Sequence, residues 1–198
     1  MAIITLCGFM GCGKSSIGAL LGRQGYYFID LDSCTQERCG LSIPQIFSQK
    51  GEEHFREQEH NALLQLLENL PIGNNPHTVI ALGGGTPTYK PSYKILAEKT
   101  FCIYLKCSPL ELTKRIMNDS HSLQRPIIQR VFEQLSKKSK AESSVAEQES
   151  ALLQFVTKSL AEREKFYLGS SKAVIETTSL SPEQVVKEVL LVIRSIYY

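Results

Sequence analysis

An octapeptide near the amino terminus constrains the fold of this chain more than any other feature. Gly8–Ser15 reads GFMGCGKS and fits the pattern GxxxxGK[ST]. An apolar, β-branched run precedes it and helically spaced apolar residues follow it, so the motif joins a strand to a helix. Glycine there lets backbone N–H groups turn inward around a phosphate, and the helix N-terminus adds positive potential. The octapeptide therefore predicts a nucleotide phosphate site, in which Lys14 contacts the β- and γ-phosphates and the Ser15 hydroxyl binds Mg²⁺.

The rest of the chain alternates short apolar runs with helical patterns. Strands are predicted at Ala2–Cys7, Tyr26–Ile29, Thr78–Leu82, Phe101–Lys106 and Ala173–Glu176. Helices are predicted after the glycine loop, between an N-cap at Ser33 and a stop at Gly40, over Glu52–Leu70, over Pro109–Met117 and over Pro182–Tyr197. Buried strands that alternate with helices indicate an α/β fold with a five-stranded parallel sheet flanked by helices. Ligands bind at the carboxyl ends of such strands, where the glycine loop, Asp30–Asp32 and Gly83–Gly85 all fall.

Charge and composition exclude several classes of partner. Lys plus Arg number 22 and Asp plus Glu number 20, so the net charge of +2 leaves no basic surplus for nucleic acid. No apolar run reaches the ~18 residues of a membrane span, and the apolar start of the chain lacks the basic flank of a secretion signal. The six cysteines form no CxxC pair, which favours reduced thiols and a cytoplasmic protein.

Further candidates for the chemistry lie outside the glycine loop. Side chains alternate along a strand, so Asp30 and Asp32 can divide the work between a metal and a phosphoryl acceptor; alternatively, Asp32 caps the next helix. Gly83–Gly85 allow the backbone to approach a ligand, with a flexible linker as the alternative. Pattern alone assigns no role to Arg56 or Arg125, since either can be a solvated surface residue. Because no NKxD motif is present, a small kinase is favoured over a GTPase.

One segment carries no chemistry that its residues suggest. Ser136–Ser150 is almost entirely Ser, Lys, Glu, Gln and Ala, with Val145 as its one sizeable apolar residue. Such a segment cannot bury a face, so we expect a solvated loop or an exposed helix.

Taken in order, the motifs resemble those of the shikimate kinases. They are GFMGCGKSS at Gly8–Ser16, DLD at Asp30–Asp32, GEEHFRE at Gly51–Glu57, LGGG at Leu82–Gly85, RPII at Arg125–Ile128 and REKFY at Arg163–Tyr167. The glycine loop is shared with many families, whereas the series DxD, GExxFR and GGG is much more specific. The resemblance spans nearly the whole chain. It implies one P-loop NTPase domain over 1–198, with a substrate-binding helical region at about 33–62 and a mobile lid plus polar insertion at about 118–150.

The resemblance also implies the reaction. ATP, with Mg²⁺, would phosphorylate the 3-hydroxyl of shikimate to give shikimate 3-phosphate and ADP, in the chorismate pathway to the aromatic amino acids. The implied partners are these two small molecules, and a monomer is expected.

The family's functional residues carry over onto matching positions. The implied catalytic residues are Asp32, Lys14 and Arg125. The implied nucleotide-binding residues are Gly11, Cys12, Gly13, Lys14, Ser15, Ser16, Arg115 and Arg125. The implied substrate-binding residues are Asp32, Arg56, Gly83, Gly84, Gly85 and Arg163. Ser15 would bind the metal directly and Asp30 through water. Among these, Asp32 would orient or deprotonate the acceptor hydroxyl, and Arg56 and Arg163 would bind the shikimate carboxylate.

The sequence departs from the family pattern at several places. Cys12 stands where a small inert residue is usual, and Thr178–Leu180 stands where the family often has a second arginine near adenine. The segment Arg163–Tyr167 keeps its arginine but lacks the usual proline, and about twenty extra residues precede it. Two alternatives stay open from the residues. One is a gluconate or nucleoside monophosphate kinase of the same fold, and the other is a nucleotide-binding module without catalysis.

Overall fold

A parallel sheet forms the centre of the molecule. The structure is a computed structural model, and it describes residues 3–70, 78–123, 125–138 and 144–197. The five strands are β1 (Ile4–Cys7), β2 (Tyr27–Asp30), β3 (Thr78–Ala81), β4 (Phe101–Lys106) and β5 (Ala173–Glu176). They pair in the order β2-β3-β1-β4-β5, and every pairing is parallel. The prediction of a five-stranded parallel sheet is confirmed.

The burial of each strand explains its place in the sheet. All four residues of β1, ITLC, are buried, and β1 pairs with β3 on one side and β4 on the other. A strand covered on both faces needs such a continuous apolar run. The edge strands are less covered, since Tyr27 of β2 is 54% exposed and Val174 of β5 is 47% exposed.

Helices flank the sheet. They are α1 (Lys14–Gly22), α2 (Leu31–Cys39), α3 (Ile43–Asn69), α4 (Lys90–Lys99), α5 (Pro109–Met117), α6 (Ser120–Leu123), α7 (Pro126–Lys138), α8 (Val145–Ser170) and α9 (Pro182–Tyr197). A 3₁₀ turn at Thr86–Thr88 follows β3. Helix α1 packs against α9 and the first three strands, whereas α4 and α8 pack against each other and against β4. None of the helices in the described ranges is long and apolar enough to cross a membrane.

Several predicted element ends need correction. Asp30, not Ser33, caps α2, because the Asp30 carboxylate accepts hydrogen bonds from the backbone N–H groups of Asp32 and Ser33. The predicted stop at Gly40 is confirmed, since this residue has a φ of 63° at the C-cap. The predicted helix Glu52–Leu70 matches the part of α3 after Gly51, whose φ of 86° interrupts the helical backbone; the helical segment between Ile43 and that break was not predicted. Two predicted features lie outside the described residues: the polar turn that the Gly, Asn and Pro content of 71–77 predicts, and the first residue of the predicted strand Ala2–Cys7.

The polar segment Ser136–Ser150 is helical wherever it is described, apart from the cap residue Ser144. Its first three residues end α7, residues 139–143 lie outside the described ranges, and the remainder begins α8. The Ser144 hydroxyl accepts from the Glu147 backbone N–H, while the Glu147 carboxylate accepts from the Ser144 backbone N–H at 2.8 Å. This reciprocal capping box starts α8, which buries no side chain before Leu152. Val145 is 70% exposed, so the exposed-helix alternative holds for the start of α8.

Candidate active site

The loop between β1 and α1 forms the floor of a cleft. Its glycines Gly8, Gly11 and Gly13 have φ values of 140°, 81° and 95°, a backbone conformation that favours glycine. The loop and the start of α1 line a cleft of about 570 Å³. Its wall includes Gly11, Cys12, Gly13, Lys14, Ser15, Ser16, Asp32, Leu82, Gly84, Arg115, Arg125, Leu180, Pro182 and Val185. All six nucleotide-binding residues predicted in the glycine loop therefore border one space.

Lys14 folds back over this loop. Its ammonium group donates to the carbonyl oxygens of Gly8 at 2.9 Å and Phe9 at 3.0 Å, and the side chain is largely buried. The Cys12 thiol lies 3.7 Å from the same nitrogen. These contacts hold a fixed positive charge at the floor of the cleft, where the α1 N-terminus also points.

Ser15 and Asp30 meet at the edge of the cleft. The Ser15 hydroxyl donates to Asp30 Oδ2 at 2.6 Å, while Asp30 Oδ1 accepts from the Asp32 backbone N–H at 3.0 Å. Asp30 thus uses one oxygen to cap α2 and offers the other toward the glycine loop. A hydroxyl beside a carboxylate supplies the hard oxygen ligands that Mg²⁺ prefers, with phosphate and water completing its shell. No cluster of three or more His, Cys, Asp or Glu that could hold a metal exists among the described residues.

Asp32 lies in the first turn of α2 rather than at its cap, so the capping alternative is wrong. Burial is the main cause that raises the pKa of Asp32, and the charge of Asp30 adds to it. Lys14, Arg125 and Arg56 act in the opposite direction and lower the pKa of Asp32. Asp32 is therefore a partly desolvated carboxyl group that three cations approach.

Arg56 is not a solvated helix residue. Its side chain is 14% exposed, and Nη1 donates to Glu59 Oε2 at 2.8 Å, with Glu52 at 3.4 Å as a second partner. Glu59 is fully buried, and its other oxygen accepts from the Thr86 hydroxyl at 2.8 Å. Burial raises the pKa of Glu59, whereas Arg56 and Thr86 lower it. The pair holds the Arg56 guanidinium against the middle of α3, next to Thr86.

Sequence reasoning missed Glu59, although a signal for it was present. On a helix, Glu59 follows Phe55 by four residues and precedes Ala62 and Leu63 by three and four. It therefore lies inside the apolar stripe that α3 buries, where a charged residue needs a partner. Arg56, three residues earlier, is that partner.

The three glycines after β3 let neighbouring groups crowd against the backbone. A Cβ at Gly83 would lie 2.2 Å from Glu59 Oε1, and a Cβ at Gly85 would lie 2.2 Å from Arg56 Nη2. A Cβ at Gly84 would lie 3.3 Å from the Met10 backbone nitrogen of the glycine loop. The linker alternative is wrong, because this segment is a packed junction between α3 and the glycine loop.

Arg163 projects from α8 beside the same junction. Its guanidinium carbon lies 5.6 Å from the centre of the Phe9 ring in the glycine loop. One turn further along α8, the Tyr167 hydroxyl donates to the Gly84 carbonyl at 2.6 Å. The structure thus brings Arg163 next to the glycine loop, despite the long segment that separates it from Arg125.

Arg115 lies at the far end of the cleft. Its guanidinium donates to Glu111 Oε1 at 2.8 Å and to the Thr177 carbonyl at 3.0 Å, which fixes the plane of the group. Leu180, Pro182 and Val185 line the same end. Sequence reasoning missed this apolar wall, which stands where the family often has a second arginine.

Arg125 borders the cleft from the side opposite the glycine loop. It is exposed and directly precedes Pro126, the first residue of α7. Asp119 and Ser122 line the cleft beside it, and the Ser122 hydroxyl donates to Asp119 Oδ2 at 2.6 Å.

The six cysteines are all free thiols. Cys7, Cys12, Cys102 and Cys107 are buried in or beside the sheet. Burial raises the pKa of the Cys7 and Cys107 thiols, which disfavours their reactive thiolate forms.

Comparisons with known proteins agree with this geometry. The family model described as shikimate kinase matches residues 10–194. The shikimate kinase of Flavobacterium johnsoniae is 32% identical over 96% of this chain and 98% of its own. Among solved structures, the shikimate kinase of Bacteroides thetaiotaomicron superposes with a TM-score of 0.77 at 25% identity, with 98% of each chain covered. The shikimate kinase of Acinetobacter baumannii in complex with shikimate gives a TM-score of 0.75 at 27% identity, covering 98% of this chain and 94% of the other.

The charges around Asp32 make its titration a direct test of the site. We expect the pKa of Asp32 in the unliganded protein to lie above the ordinary value of ~3.9. Arg56→Ala removes a cation that lowers this pKa and should raise it further, whereas Asp30→Asn removes an anion and should lower it. Carbon-13 NMR of the carboxyl group measures each value. The control is Arg38→Ala, which changes an exposed arginine bound to Gln65. A wild-type pKa at or below ~3.9 contradicts the expectation.

Proposed function

The chain belongs to the shikimate kinase family, and we propose that the cleft described above is where MgATP phosphorylates the 3-hydroxyl of shikimate. The products are shikimate 3-phosphate and ADP, within aromatic amino acid biosynthesis. One observation carries the assignment to this cleft: a partly buried carboxylate, Asp32, lies beside the phosphate-binding loop and within reach of the charges of Lys14, Arg56 and Arg125.

The glycine loop supplies the nucleotide end of the reaction. Its backbone N–H groups and Lys14 surround the β- and γ-phosphates. Ser15 would hold Mg²⁺ directly and Asp30 would hold it through water, since Asp30 Oδ2 is the oxygen that the helix cap does not use. When bound, the ion would supply positive charge that offsets the negative charge on the phosphate oxygens. At the other end, Arg115 and the wall of Leu180, Pro182 and Val185 hold the adenine.

Asp32 acts on the acceptor. It accepts a hydrogen bond from the 3-hydroxyl and aligns that oxygen with the γ-phosphorus, because phosphoryl transfer depends chiefly on positioning and charge. A carboxyl group whose pKa is raised by burial is also a stronger base than an exposed aspartate. The charges of Lys14, Arg125 and Arg56 oppose that rise in pKa and favour the ionised form of Asp32.

Arg56 and Arg163 bind the shikimate carboxylate. A planar guanidinium matches a carboxylate with two parallel hydrogen bonds. Glu59 orients Arg56 through Nη1, which leaves Nη2, bonded to an exposed glutamate, available for the substrate. Gly83, Gly84 and Gly85 line this pocket, and their missing side chains leave the ring of shikimate close to the backbone.

Arg125 closes the site from the lid at about 118–150. Its exposure and its place before Pro126 allow the segment to open for substrates and then approach the γ-phosphate. Positive charge at that point stabilises the transition state as charge spreads over the phosphoryl oxygens.

The proposal also covers the cellular location and the oligomeric state. A cytoplasmic location suits six unpaired cysteines and a reaction that consumes ATP. All the residues assigned to the site come from one chain, so a monomer is sufficient for catalysis.

The first test is the choice of acceptor. The purified chain should release ADP rapidly with shikimate and MgATP, and at least about 100-fold more slowly with gluconate or a nucleoside monophosphate, since a site built to bind a substrate's polar groups rejects analogues strongly. A coupled ADP assay measures this. Asp32→Asn should lose well over tenfold in kcat with shikimate while binding ATP normally, because the missing group acts on the acceptor. Equal rates with gluconate would contradict the substrate assignment.

The carboxylate assignment is tested at Arg56. Arg56→Ala should raise the KM for shikimate at least about 30-fold and leave the KM for ATP nearly unchanged, because losing one partner of a desolvated charge pair costs on the order of 2–5 kcal/mol. Steady-state kinetics with each substrate varied in turn give both constants. Arg38→Ala, an exposed arginine bonded to the same helix, is the matched control. Equal losses for both substrates would mean that Arg56 supports the fold instead, which a thermal melt would also show.

The lid assignment is tested at Arg125. Arg125→Ala should lower kcat about 100-fold or more and change ATP affinity much less, since its contact forms with the charge of the transition state. Arg130→Ala is the control. It removes an exposed arginine of α7, five residues after Arg125, and should leave kcat within about twofold. Similar kcat values for the two variants would rule out a catalytic contact by Arg125.

A further inference from the structure

Helix α8 reaches the active site through a residue that the reaction scheme has not used. Tyr167 is fully buried, although it follows Arg163 by just one helical turn. Its hydroxyl donates to the Gly84 carbonyl at 2.6 Å, a bond between residues 83 positions apart in the sequence. A buried phenol needs such a partner, and here the partner is the backbone that lines the substrate pocket.

Gly84 is held from its other side by the glycine loop. A Cβ at this residue would come within 3.3 Å of the Met10 backbone nitrogen, so the two loops are in near contact there. Because the Gly84 backbone lies between the Tyr167 hydroxyl and the phosphate-binding loop, the hydrogen bond fixes the distance between α8 and that loop.

Tyr167 also lies close to Arg163, which precedes it by one turn of α8. Burial raises the pKa of Tyr167, while the positive charge of Arg163 lowers it. The Arg163 guanidinium carbon lies 5.6 Å from the centre of the Phe9 ring in the glycine loop. The Tyr167 side chain therefore bonds the Gly84 backbone next to Arg163, and a tyrosine oxygen that donates to a carbonyl keeps lone pairs able to accept from a guanidinium.

We propose that Tyr167 is a positioning residue, which sets the affinity for shikimate by holding Arg163 and the Gly84 backbone in a fixed relation. This inference rests on the proposed binding of the shikimate carboxylate by Arg163. The carboxylate is bound at Arg163 and the ring lies over Gly84, so both contacts must be made at once. Loss of the hydroxyl releases both at the same time.

The chain supplies a matched control in Tyr104. This residue is also buried, and its ring lies 5.2 Å from that of Tyr167, with an angle of 35° between the ring planes. Its hydroxyl has no hydrogen-bond partner within the portion of the protein described by the structure. Tyr104→Phe and Tyr167→Phe therefore each remove a hydroxyl from one of two neighbouring buried rings. Tyr167→Phe loses the hydrogen bond to the Gly84 carbonyl, whereas Tyr104→Phe loses no hydrogen bond to a described residue.

The experiment compares four variants of the full chain: Tyr167→Phe, Tyr104→Phe, Arg163→Ala and the double variant Tyr167→Phe/Arg163→Ala. Tyr167→Phe should raise the KM for shikimate between about threefold and thirtyfold, the usual effect of losing one or two hydrogen bonds. Its KM for ATP should stay within about twofold of wild type, as should both constants of Tyr104→Phe. In the double variant the KM for shikimate should rise by less than the product of the two single effects, because Tyr167→Phe can then disturb the Gly84 backbone but no longer Arg163.

The outcomes separate the two hypotheses. If Arg163→Ala leaves the KM for shikimate unchanged, the proposed role of Arg163 is wrong and the positioning role of Tyr167 falls with it. If Arg163→Ala raises this KM while Tyr167→Phe behaves like Tyr104→Phe, or if the two effects are additive in the double variant, the inference about Tyr167 alone is overturned. Calorimetric titration with shikimate and a thermal melt of each variant distinguish a change in affinity from a loss of folded protein.

Discussion

The parallel pairing of β1 with its two neighbours determines where every active-site group lies. Because β1 hydrogen-bonds to β3 and β4, the glycine loop leaves the sheet next to the segment that follows β3. The Leu82 backbone N–H extends that pairing by donating to the Leu6 carbonyl at 3.0 Å. Gly84 consequently meets the glycine loop backbone to backbone, so closely that a Cβ at Gly84 would lie 3.3 Å from the Met10 backbone nitrogen. Strand β2 pairs with the other side of β3, so its carboxyl end lies at the same edge of the sheet. This places Asp30 and Asp32 beside the glycine loop.

Opposing charges within this crowded edge stabilise one another. Glu59 is buried without access to water, and its ion pair with Arg56 and its bond from Thr86 satisfy both oxygens. Removing either partner would leave an uncompensated charge, which is why a buried pair specifies an arrangement more than it adds stability. Asp32 stands in a similar balance, since burial raises its pKa and Lys14 is the first of the cations that lower it. The carboxylate proposed to bind the acceptor and the arginine proposed to bind the shikimate carboxylate can thus share a small volume.

The parts of this arrangement that depend on neighbouring residues could be predicted from the sequence. Local pattern alone predicted the glycine loop and the strands Phe101–Lys106 and Ala173–Glu176, and the predicted bounds of both strands agree with the structure. The cap of α2 was misassigned to Ser33, because Asp30 and Ser33 are both good capping residues and the end of β2 decides between them. The strand order and the link from Tyr167 to Gly84 depend on contacts between distant segments, for which a single sequence gives no signal. Glu59 lies between these cases, since its place in an apolar stripe was visible but its partners were not.

The long segment between Arg125 and Arg163 shows how a site tolerates added residues. The start of α8 is exposed and polar. Its own capping box at Ser144 begins the helix, so this end of α8 needs little packing against the rest of the protein. The other end of α8 is anchored by Tyr167 against Gly84, and Leu152 and Val156 bury its middle beside α5 and α7. A helix fixed at its carboxyl-terminal end can lengthen at its amino-terminal end without moving the residues near the anchor. Arg163 lies one turn from that anchor, and therefore its position is independent of how many polar residues precede it.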